Sequence, residues 1–138
     1  MTDIIRKSLV LERKQRERLI KILQDSLVEK AEHDGRRFHT LLTIAEEMFG
    51  KGIQSGSRDF QLVLGRRFIV WKMRGEGYSW SEIGRNLIRH HASVIHMWKM
   101  MDDIFRYPEV FQLEMAYWEE FDKKVREYDI QRGAVQGS

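Results

Sequence analysis

Apolar residues recur every three or four positions along most of this chain, and no stretch alternates polar with apolar long enough to predict a strand. The pattern predicts an almost entirely helical protein. A first segment, about Asp3–Glu32, carries its clearest stripe late, at Leu19, Ile20, Leu23, Leu27 and Ala31, after a mixed-charge run ERKQRER that reads as a solvated helix face. His33-Asp34-Gly35 reads as a helix stop. Leu41, Leu42, Ile44, Ala45, Met48 and Phe49 then predict a shorter helix ended by Gly50, followed by the loop GKGIQSGS. A third helix is expected over about Asp59–Met73, with Leu62, Val63, Arg66, Ile69, Val70 and Met73 on one face and Gly75 and Gly77 closing it.

The sharpest start signal comes next. Ser79 precedes Glu82 by three positions, the spacing of a capping box, and opens a short helix Trp80–Leu87. Ile88 and Arg89 make a turn, and a further helix over about His91–Phe105 sets Val94, Met97, Trp98, Met101 and Phe105 on one face and Ala92, Ser93, His96 and Lys99 on the other. The sole proline, Pro108, fits the first turn of a last helix, Glu109–Asp129, with one stripe at Val110, Leu113, Tyr117, Phe121, Val125 and Tyr128 and a second at Phe111, Met115 and Trp118. So aromatic a face needs a partner surface, either the N-terminal helix or a second copy of the chain. The tail GAVQGS is expected to be disordered.

At 138 residues, 42% hydrophobic and 33% charged, the chain suits one domain with a modest core. It contains no cysteine, which removes disulfides and thiolate zinc sites and makes a reducing, cytoplasmic setting the default. Charge interrupts every apolar stretch, including the first, so neither a membrane span nor a signal peptide is expected. The net charge of +3 is unevenly spread: residues 57–106 hold nine basic against five acidic side chains, and residues 107–138 hold four against seven. A basic middle suits a polyanion.

The same residues argue against catalysis. Adjacent His90 and His91 diverge around a helix, no carboxylate or histidine stands at metal-ligand spacing from them, and no nucleophile motif or phosphate-binding glycine loop occurs. No enzyme, metal or cofactor is expected. A short helix packed across a longer one instead presents the longer helix's first turn, whose unpaired N–H groups and positive dipole end favour an anion such as phosphate. His91, Ser93 and His96 could then meet base edges and Ala92 a thymine methyl, with Lys72, Arg85, Arg89 and Lys99 around them for phosphates. Trp71, Trp80 and Trp98 read as core.

Two blocks carry a family resemblance. SRDFQLVLGRRFIVWKM (Ser57–Met73) and YSWSEIGRNLIRHHASVIHM (Tyr78–Met97) are similar to the two signature blocks of the C-terminal DNA-binding domain of the bacterial replication initiator DnaA. The likeness runs through Ser57, Arg58, Val63, Gly65 and Arg66, and through Ser79, Glu82, Ile83, Gly84, Leu87, Arg89, His91, Ser93, Val94 and His96 with one residue deleted at the turn. It implies an all-α fold with a helix-turn-helix of the Trp-repressor or DnaA type over residues 40–106; the likeness does not explain residues 1–39 or 107–138, which read as an N-terminal helical extension and a C-terminal amphipathic helix with a disordered tail. By the same resemblance Arg58 would reach a minor groove from its loop, and Arg89, His90, His91, Ala92 and Ser93 would enter a major groove. Ile88 replaces the family's glycines, His90 its aspartate and Ala92 its threonine, which leaves open a different site or none in particular. No Walker motif is present, so ATPase activity is not expected.

The reading that results is an all-helical protein binding double-stranded DNA, in replication or gene control. Arg58, Arg66, Lys72, Arg85 and Lys99 would neutralise phosphates, and Arg89, His90, His91, Ser93 and His96 would sit at the groove. The alternative is a helical interaction module that retains the fold and uses its aromatic last helix for a protein partner or self-association.

Overall fold

In the computed structural model residues 35–136 are described, and they form five helices with no strand among them. These are α1 (Arg36–Phe49), α2 (Phe60–Gly75), α3 (Trp80–Leu87), α4 (His91–Arg106) and α5 (Gln112–Gln136). The expected helix over Asp3–Glu32, its Leu19 to Ala31 stripe, and His33 and Asp34 lie outside the described residues. None of the helices described is long and apolar enough to cross a membrane.

α2 is the hub, in contact with all four other helices. Its sequence explains why: Leu62, Leu64, Gly65, Phe68, Ile69, Val70 and Met73 are buried on nearly every side of the helix rather than along one stripe. The narrower stripe expected from the sequence therefore understates its burial. α1 follows the ordinary amphipathic rule, covering α2 with Phe38, Leu41, Ile44, Ala45 and Phe49. Gly65 lets the two helices approach, since a Cβ there would stand 2.7 Å from Ile53 Cδ1 and 3.1 Å from the Phe49 ring.

The last helix departs from expectation in three ways. It begins at Gln112, because Tyr107–Val110 close a turn in which the Val110 and Phe111 amides both donate to the Tyr107 carbonyl, so Pro108 precedes the helix instead of opening it. It runs on to Gln136, so Gly133–Gln136, expected to be disordered, are helical. Its aromatic face is also not left for a partner. Phe121 and Val125 are fully buried, Trp118 and Phe121 meet Phe68 edge-on or tilted at 5.3 and 5.4 Å between ring centroids, and Tyr117 meets Phe49 at 5.3 Å. The surface that covers this helix is α1, α2 and α4 of the same chain, while Leu113 and Ile130 of its large apolar residues, and Val110 just before it, stand out to solvent.

Charge pairs fasten α5 on the same side. Arg37 of α1 bridges Glu76 and Asp129, each at 2.7 Å, and Lys72 of α2 reaches Asp122 at 3.1 Å, which also accepts from Arg126. Burial works against ionisation of Asp122, yet the hydrogen bonds from Arg126 and Lys72 outweigh it and hold its carboxyl below the ordinary aspartate range.

Candidate functional site

The α3–α4 corner is built from local signals. Ser79 Oγ accepts the Glu82 amide hydrogen at 3.1 Å and caps α3, whose Ile83 and Leu87 are fully buried. Gly84 is required sterically: a Cβ there would stand 2.6 Å from the Arg89 carbonyl oxygen, so the turn folds back across the helix only over a glycine.

α3 ends with the amide of Arg89 donating to the Gly84 carbonyl at 2.8 Å and that of Ile88 to Arg85 at 3.3 Å. α2 closes with the same double hydrogen bond, Tyr78 to Met73 and Gly77 to Arg74, each at 3.1 Å. The residue in the left-handed conformation is Gly77 at the first end and Ile88 at the second, with φ of 98° and 59°. A β-branched residue pays for that conformation with about 1–2 kcal/mol. Burial does not compensate, because Ile88 is 67% exposed.

His90 then caps α4: its Nδ1 accepts the Ala92 amide hydrogen at 3.2 Å. Its ring lies 4.2 Å from that of His91, centroid to centroid. Val94, Met101 and Ile104 anchor the inner face of α4, with Met97, Trp98 and Phe105 half-buried beside them. The outward face presents His91, Ala92, Ser93, His96 and Lys99, all exposed as the spacing predicts. Between α4 and α2 lies an open groove of about 400 Å³ that includes Val63, Arg67, Ala92, Ser93, His96 and Met97 in its walls.

The cations divide into two groups. Arg58 in the α1–α2 loop, Arg85 on α3 and Lys99 on α4 are exposed, and none pairs with a carboxylate among the described residues. Arg66, Lys72 and Arg89 are committed elsewhere, and the roles expected for them need correction. Arg66 is 4% exposed; its Nε donates to the Ile53 carbonyl at 2.5 Å, its Nη1 to Ser57 at 2.8 Å and its Nη2 to Ser55 and Gly52 at 2.8 and 3.2 Å. It holds the loop from beneath and is not free for a phosphate. Burial, and then the neighbouring charge of Arg89, pull its guanidinium below its ordinary range. Lys72 faces Asp122 and α5, on a different surface of α2 from the groove.

Arg89 also turns inward. Its guanidinium donates to the Ser55 carbonyl, to Ile88 at 3.1 Å, to Leu87 at 3.3 Å and to Gln54 at 3.4 Å, while the Gln54 amide returns a hydrogen bond to the Asn86 carbonyl at 2.8 Å. It staples the loop that carries Arg58 to the turn before α4, where sequence reading had placed it in a groove.

Two residues escaped that reading. Arg67 is half-buried in the groove wall, where burial lowers its guanidinium and Glu114 of α5 pulls the other way. The Arg66-Arg67 pair carried a usable signal: adjacent positions diverge by about 100° on a helix, so one can enter the core while the other lines a surface. Gln54 gave none, since its partners come from the fold. Trp71, Trp80 and Trp98 form a half-buried cluster, with Trp71 and Trp98 stacked at 5.2 Å and Trp80 edge-on to Trp98 at 6.1 Å, so none stands free on the outward face of α4. No protein-family model, curated protein or solved structure matches the chain.

Proposed function

We propose that the chain binds double-stranded DNA through α3 and α4 acting as a helix-turn-helix, with the first turns of α4 laid in the major groove. One observation carries the reading. A helix face of small and polar residues, Ala92, Ser93 and His96, is exposed, and so are Arg58, Arg85 and Lys99, which have no acidic partner among the described residues. Small residues let the helix approach base edges, and unpaired cations neutralise phosphates. The left-handed Ile88 supports the same assignment, because local strain that packing does not repay accumulates where a surface must meet a ligand. Arg66 and Arg89 act indirectly, holding the Arg58 loop against the turn. The resemblance to the DnaA domain agrees in placing the contacts at this corner, and replication or gene control is the corresponding role.

Fluorescence anisotropy with labelled random duplexes, and with a duplex carrying that family's site, tests the reading over a salt series. With about three phosphates engaged, by Arg58, Arg85 and Lys99, log affinity should fall against log salt with a slope of roughly −3. Lys99→Ala should reduce the slope by about one, and Lys72→Ala should leave it unchanged, since that amine faces Asp122. Absence of salt-sensitive binding, or equal effects of the two substitutions, would sink the assignment.

A further inference from the structure

The His90 imidazole is already engaged on one side. Nδ1 accepts the Ala92 amide hydrogen at 3.2 Å, so it must hold a lone pair there, and the neutral ring then carries its proton on Nε2. An exposed histidine ordinarily exchanges tautomers to suit whatever approaches. Here the cap removes that freedom, because a proton on Nδ1 would point at the hydrogen of the Ala92 amide. The His91 ring, 4.2 Å away, restricts rotation further. Nε2–H has no partner among the described residues and belongs to an exposed side chain at the head of α4, where Ala92 and Ser93 are exposed as well.

The geometry points to His90 as a specificity-determining residue that donates Nε2–H to guanine in the major groove. Guanine fits a fixed donor best: it offers two acceptors there, N7 and O6, whereas adenine and thymine offer one each, adenine's beside a donor and thymine's beside a methyl group, and cytosine presents a donor alone. The capping bond thus does two jobs, ending the turn and fixing the hydrogen-bond polarity of the outer edge. This inference rests on the duplex-binding reading above.

Two measurements test it separately from that reading. Long-range proton–nitrogen correlation NMR of the free protein should find the proton of the neutral His90 ring on Nε2. A proton on Nδ1 would overturn the inference without touching DNA binding. Site selection from a random duplex pool, followed by duplexes with single base-pair replacements, should then give a guanine contact. Its replacement by cytosine should cost the unaltered protein about tenfold or more in affinity.

His90→Asn and His90→Asp both preserve a good helix cap, so both should melt as the parent does. Asn retains outward amide donors and should keep the guanine preference; Asp has only acceptors and should lose it or turn toward cytosine. A charge effect of Asp on all duplexes cancels in the ratio between probes. If His90→Asp weakens every duplex equally and leaves the preference intact, the group meets a phosphate or nothing, and the assignment falls. If the unaltered protein binds no duplex, the duplex-binding reading has failed and the guanine contact with it, whatever the tautomer.

Discussion

α2 carries two basic residues about one and two-thirds turns apart, Arg66 and Lys72, whose surroundings satisfy them in opposite ways. Arg66, with Arg89 beside it, is bonded entirely to backbone carbonyls of the α1–α2 loop and the α3–α4 turn. Lys72 meets a carboxylate, and so does Arg37 farther along the same side. Both arrangements satisfy hydrogen bonds, but only the second cancels charge. The loop-and-turn end therefore keeps a positive potential that neutral carbonyls cannot quench, and the α5 side does not. Counting basic residues along the chain cannot see this difference. What decides whether a cation contributes to attraction at a surface is the charge of its acceptor.

The comparison can be broken most forcefully at Arg66. Arg66→Leu strands several loop carbonyls in a poorly hydrated place and should destabilise the fold by at least about 3 kcal/mol, read as a lowered denaturation midpoint. A loss below about 1 kcal/mol would mean that the loop holds itself and that Arg66 is not its scaffold.

On the other side, Asp122→Asn leaves Lys72 and Arg126 facing an uncharged amide and should cost about 2 kcal/mol at neutral pH. The parent should also have an acid dependence that the variant lacks. The Asp122 carboxyl ionises more readily in the folded chain, so its stabilisation is complete above the unfolded aspartate value of about 3.9 and is lost as pH falls through the lower folded value. Denaturation curves of the two proteins should converge in that acid window. Parallel curves would deny Asp122 its role.

The smallest expected effect sharpens the contrast from within the turn. Ile88→Gly relieves a left-handed β-branched residue and should raise stability by about 1 kcal/mol, after allowing for the greater freedom of glycine in the unfolded chain. A lowered melting temperature would show instead that the exposed isoleucine side chain stabilises the corner.

Much of the corner was legible in the sequence because its signals are local. Ser79 and Glu82 bound α3, and the residues expected on the outer face of α4 are those found there. Arg66, Lys72 and Arg89 were misjudged. Arg66 turns to carbonyls of the adjoining loop, which residue types do not reveal, and Lys72 and Arg89 share a further reason. Arginine or lysine in a cationic stretch reads as solvated, and what changes that reading lies far along the chain: Asp122 is 50 residues from Lys72, and the Ser55 carbonyl is 34 from Arg89. The apolar pattern of the last helix marked its inner face from Met115 to Tyr128, but it also included Val110 and Leu113, which are exposed, and it could not say what the face would meet, because periodicity describes one surface and never its partner.

The tryptophans described above have an optical consequence. Trp118 touches Phe105, Phe105 touches Trp71, Trp71 stacks on Trp98, and Trp98 meets Trp80, so an unbroken run of rings joins α5, α4, α2 and α3. Excitation absorbed at any of these indoles can migrate to the others, and the stacked pair gives the near-ultraviolet dichroism of coupled chromophores. All four indoles of the chain belong to the run, so its emission registers the seating of α4 without any attached dye.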